Sequence, residues 1–310
     1  MDKKLKLVML LLWPIIAILL TALLIFGIVS NKNGGSIFPI FHIGDIKTQV
    51  QKQENISLNN LDTINMDFSS ENIIISPTED DQIRVVESSS GTLSENQKFI
   101  LSKEGNEVTI KQGNPKISIN IFNLGNFNRK IELFIPKSYK NNLELSLSSG
   151  NITINNDLTV SNFTARQSSG NVECKGSLTA QEVNIENNSG NITINSLNTK
   201  AYTIQVTSGN IRVESLSGSG TVKATSGNVN IAYKDILEYS NLSVTSGNIK
   251  LTLPKDLSFE FEGSSSSGNI NSDFPLTYRN NDKKHVTAKV GSGPYKNINA
   301  NVSSGNINIY

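Results

Sequence analysis

Residues able to do chemistry are sparse in this chain of 310 residues. The two histidines, His42 and His285, are far apart in sequence, and the one cysteine is Cys174. Serine is abundant, yet none sits in a Gly-x-Ser-x-Gly elbow with a histidine and acid to activate it. No Cys/His cluster has zinc spacing, and the aspartates of a calcium-binding repeat are missing. Cleaving a polysaccharide needs two carboxylates, or an acid and a base, on one groove. The acidic residues here are scattered. Sequons at Asn55, Asn151, Asn162, Asn187, Asn191, Asn241 and Asn301 follow from an Asn/Thr-rich composition. No catalytic, cofactor-binding or metal residue is therefore expected, and no cofactor. Cys174 alternates with Val172 and reads as a packed core thiol; a single cysteine excludes an intrachain disulfide.

What does recur is turn chemistry. Ser-Gly-Asn occurs eight times, at Gly150-Asn151, Gly170-Asn171, Gly190-Asn191, Gly209-Asn210, Gly227-Asn228, Gly247-Asn248, Gly268-Asn269 and Gly305-Asn306. Successive glycines lie 20, 20, 19, 18, 20, 21 and 37 residues apart. Glycine tolerates the positive φ of a sharp corner, and Ser and Asn can bond to nearby backbone. Apolar residues alternate on both sides. Leu143, Leu145 and Leu147 precede the first corner; Ile152 and Ile154 follow it. Period two means strands with one buried face, and a fixed period near twenty means stacked repeats. Each repeat reads as strand, corner, strand and a looser return carrying Leu178, Leu197 or Leu216. Gln167 and Asn187 also fall on inward positions, which reads as a polar end to the core. The outward charges Arg166, Glu173, Lys175, Arg212, Glu214 and Lys223 read as a solvated sheet surface rather than a carbohydrate subsite.

These strands need a scaffold, and the chain divides accordingly. Residues 1–6 carry three lysines, and Leu7–Ser30 is an uncharged run long enough to span a bilayer as a helix. The apolar run is longer than that of a cleaved signal peptide, and the preceding lysines place the N-terminus in the cytoplasm and the bulk outside. Residues 31–58 read as linker, with an apolar patch at 38–41. Residues 59–310 read as the repeat domain: irregular coils over 59–142, regular ones over 143–271, and a cap over 272–310. Ile64, Met66 and Phe68, then Ser69-Ser70-Glu71-Asn72, then Ile73 and Ile75 align with the Leu143 copy. Glu71 takes the place of the corner glycine, so this copy turns differently or bears strain. If φ stays positive there, Glu71→Gly relieves it. Further strand candidates are Ile83–Glu87, Phe99–Ser102, Val108–Lys111, Ile117–Phe122 and Ile131–Ile135. The 12 residues from Gly293 to Gly305 are too few for a coil, so a truncated or hairpin-like end is expected.

Equal coils with strands in the same place stack in parallel and in register, about 4.8 Å apart. The expected fold is all-β, a single-chain parallel β-solenoid of ~20-residue coils, preceded by one N-terminal transmembrane helix. An antiparallel sandwich of hairpins is the alternative, but two-residue hairpin turns favour Asn-Gly over Gly-Asn. Ile131-Glu132-Leu133-Phe134-Ile135-Pro136, the repeated corner units, Leu253-Pro254, and Gly-Ser-Gly-Pro before the last Ser-Gly-Asn-Ile together resemble the bacterial putative-adhesin family with β-strand repeats, domain of unknown function 4097. The resemblance covers roughly residues 60–310. It implies a β-solenoid in the cell envelope and carries no catalytic residues over.

The net charge of +1 leaves no basic footprint for nucleic acid. Three classes of function remain. The favoured one is a membrane-anchored, extracytoplasmic scaffold or adhesin-like binding module for an envelope polymer or surface protein. The second is a bactofilin-like self-assembling filament, and the third an envelope polysaccharide lyase or hydrolase.

Overall fold

Alternating apolar residues on both sides of each corner do what period two requires, since every second side chain enters one core. The computed structural model describes residues 48–114, 128–279 and 282–310. The expected transmembrane helix, the linker up to residue 47, His42 and the strand candidate at 117–122 lie outside the described residues. Among the described residues no helix is long and apolar enough to cross a membrane.

From Val172 to Ser246 one long strand runs almost right round each coil. Ile192–Ser208 pairs in parallel with Ile211–Ser226 along three segments, with Ile192 opposite Ile211, Leu197 opposite Leu216 and Ile204 opposite Val222. The return is therefore itself a paired strand, not a loose connection. Its leucines, 178, 197 and 216, are fully buried. Cys174 is buried as well, and burial pushes its thiol up to about 12.

Coil order in space departs from coil order in sequence at both ends. Thr63–Phe68 lies between Glu107–Lys111 and Asn142–Leu147, with Ile64 opposite both Val108 and Leu143. The copies aligned above by sequence are thus direct neighbours across the stack. At the other end Lys296–Ser304 sits between Val229–Ser246 and Phe259–Ser267, with Ala300 opposite Leu242 on one side and Gly263 on the other. The last Ser-Gly-Asn copy is therefore an internal coil, not a truncated end. Asp282–Val290 instead closes that end, antiparallel to Phe259–Ser267. Its Val286 and Ala288 are buried there. The other end is closed likewise: Gln82–Ser89 runs antiparallel to Arg129–Pro136, and Gln49–Ser57 antiparallel to Gln82–Ser89. Among the described residues the sheet consequently starts at Gln49, inside the stretch expected to be linker.

Glu71 is the other correction. Among the described residues Asn60 is the only non-glycine at positive φ, so Glu71 bears no corner strain. Its carboxylate, fully buried, lies 2.8 Å from Arg129 Nη1 and accepts the Ser70 N–H at 2.9 Å. Arg129 Nη2 also reaches buried Glu87 at 2.5 Å, and Glu87 accepts the Phe99 N–H at 2.9 Å. Glu71→Gly would remove the Glu71 contacts and relieve nothing.

Candidate functional site

The eight corner glycines stand in one line up the stack, with φ from 108° at Gly150 to 149° at Gly268. A Cβ on Gly190 would overlap the carbonyl oxygen of Gly170 one coil below. The asparagines beside them bond between coils rather than locally. The Asn171 N–H donates to Asn151 Oδ1 at 2.9 Å, Asn191 to Asn171 at 2.9 Å, and Asn210 to Asn191 at 2.9 Å. The ladder begins at Asn72, which accepts from Asn151, and ends at Asn269, which donates to Asn306. Backbone groups along this edge are thereby satisfied, and the corner line is a structural seam.

Gln167 and Asn187 belong to the same seam. Both are buried within the stack, not at its end. The Gln167 amide donates to the Gly150 carbonyl, and Asn187 Nδ2 to the Gly170 carbonyl at 2.8 Å. Each polar side chain thus serves a corner carbonyl that an aliphatic residue could not. Tyr202 reaches across Gly220, where a Cβ would crowd its ring, to donate to Ser240 Oγ at 2.9 Å. Tyr233 meets the same hydroxyl at 2.5 Å, and burial raises both phenols.

The six outward charges separate onto two faces. Arg212 pairs with Glu214, and Lys175 lies 4.0 Å from Glu173, so the face after the corner neutralises itself along its strands. Arg166 and Lys223 lie on the face before the corner. There the outward side chains stack in columns: Thr203, Thr221, Asn241 and Asn299 in one, Gln205, Lys223, Ser243 and Asn301 in the next. The first column is half-buried between its neighbours. Towards the C-terminal end this face becomes concave. A cavity of about 500 Å³ is lined by Lys223, Asn241, Asn299, Asn301 and Glu262. A second, of about 310 Å³, adjoins it and shares Glu262 and Asn299.

Glu260 and Glu262 thus share one groove, a pairing that sequence reasoning missed. The signal was present as alternation in Phe259-Glu260-Phe261-Glu262, whose phenylalanines are buried. Glu260 is taken up by Lys289 at 2.5 Å, which raises the lysine's pKa. Both carboxylates are exposed, without the contrasting burial that gives a catalytic pair separate roles. His285 lies across the strand pair from Ser264. Among the described residues no cluster of His, Cys, Asp and Glu could hold a metal ion.

The family model Toastrack, DUF4097, matches residues 61–310. The chain belongs to the Toastrack family. Solved structures with a similar fold include a "putative adhesin" from Parabacteroides distasonis, 13% identical, covering 86% of this chain and 98% of that one, with a TM-score of 0.51. A "putative adhesin" from Bacteroides fragilis is 12% identical over 84% of this chain and 97% of that one, TM-score 0.48. A "putative lipid binding protein" from Parabacteroides distasonis is 18% identical over 84% and 96%, TM-score 0.44. No curated protein matches the chain. At such identities the first of these likenesses speaks for the Toastrack fold alone.

Proposed function

We propose that this Toastrack chain is a membrane-anchored, extracytoplasmic binding module that holds envelope material without turning it over. The observation that carries the reading is the face before the corner. Hydroxyl and amide side chains stand there in columns at a fixed rise of about 4.8 Å. Weak contacts repeated at fixed spacing suit a polymer and multiply into avidity. The carboxylates Glu260 and Glu262, which share a groove on this face, are exposed, and one is occupied by Lys289. The uncharged run Leu7–Ser30 supplies the anchor, with the lysines before it on the cytoplasmic side. Several fold neighbours are named for binding, as adhesins or a lipid-binding protein. A filament built by end-to-end stacking is less favoured, because antiparallel strands close both ends of the parallel stack.

The test incubates the purified protein with peptidoglycan, teichoic acids and neutral polysaccharides, and reads co-sedimentation together with product release. Binding to at least one polymer without new reducing ends or unsaturated products is expected. Product above background, lost in Glu260→Gln or Glu262→Gln, would replace this reading with the hydrolase or lyase.

A further inference from the structure

The concavity on the face before the corner is charged at its two ends and neutral between them. Lys223 stands on Ile211–Ser226 and Glu262 on Phe259–Ser267. Two strands lie between them, Val229–Ser246 and Lys296–Ser304, so the charges are separated by roughly 14 Å of stack. Both residues are exposed, and neither has a hydrogen-bond or ion-pair partner among the described residues. The nearby charges Glu260 and Lys289 satisfy each other. Asn241, Asn299 and Asn301 fill the interval with amides, and Asn299 Nδ2 donates to Asn241 Oδ1 at 2.9 Å.

We infer that this concavity binds a polyhydroxylated chain carrying both charges, with an anionic group at Lys223 and an ammonium group at Glu262. The inference rests on the proposed function and names its ligand class. A lone cation and a lone anion facing one groove are complementary to a zwitterion and to neither a purely anionic nor a neutral chain. Amides between them match hydroxyl groups, which donate and accept. A peptide fits less well. The floor strands are paired on both sides, so no edge is free for strand addition. The groove also lacks the apolar pocket that anchors a side chain. This is one contact among several along the face, distinguished by its charge.

The full-length protein in detergent is mixed with three probes: a polyol-phosphate polymer bearing alanyl esters with free ammonium groups, the same polymer de-esterified, and dextran. Wild type should bind the esterified polymer about tenfold more tightly than the other two. Glu262→Gln should abolish that preference, and Lys223→Glu should weaken binding of the esterified polymer about tenfold. The double variant Lys223→Glu, Glu262→Lys should regain it, because the chain can run in the opposite direction. Unchanged melting temperatures confirm that these surface variants fold. Equal binding of esterified and de-esterified polymer by wild type, or wild-type affinity in both single variants, would overturn this inference and leave the broader reading intact. Binding to none of the three probes by wild type, with none to peptidoglycan either, would remove the broader reading too.

Discussion

At Gly190 two separate demands fall on one residue. The backbone takes φ of 130°, and the position of a Cβ is already occupied by the Gly170 carbonyl. Gly105 meets only the first demand, with φ of 60° and no atom within 4 Å of where a Cβ would stand. Gly105→Ala should therefore cost about 1–2 kcal/mol, the ordinary left-handed penalty. Gly190→Ala should cost more than about 3 kcal/mol, and Gly190→Val should prevent folding, because the coil below cannot move away. Denaturant melts of the variants check this. Equal costs at the two positions would mean that close stacking at the corner is not what selects glycine.

The element scale separates what was legible from what was not. Period two and the recurrent corner were enough to place the inward residues from Leu143 to Leu251, because each coil buries its own alternation. The alignment of Ile64, Met66 and Phe68 with Leu143, Leu145 and Leu147 carried more than similarity, for the two segments touch in register. Which coil sits beside which was not legible where the chain skips a layer. A parallel strand offers the same edge to any coil of the right length, so local sequence does not specify its neighbour. Polar residues serving another coil were hidden for the same reason: Gln167, Asn187 and Ser240 find partners across the stack. So was the Glu71–Arg129–Glu87 cluster, whose members come from one corner and two separate strands. Arg129→Met should cost about 3–5 kcal/mol, since it leaves two buried carboxylates without a cation. Thermal and denaturant unfolding would show it. A variant as stable as wild type would mean the cluster contributes nothing to closing that end.

At the scale of the whole molecule, binding is proposed to spread along one face of the stack, without turnover. The groove shared by Glu260 and Glu262 was invisible to a reading of the sequence as scattered acids, because strand pairing brings Thr287 and Lys289 opposite them from Asp282–Val290, within the stretch read as a cap. Deleting Val172–Asn191 removes one coil and joins Asn171 to Ile192, which takes the place of Val172 in the coil below. The most direct measurement is polymer affinity of this shortened protein beside wild type, with product release followed in the same samples. The expected result is a folded protein with binding weakened by less than about tenfold, since one layer of repeated contacts is lost, and no product from either protein. Abolished binding, unchanged affinity, or product released by wild type would contradict it.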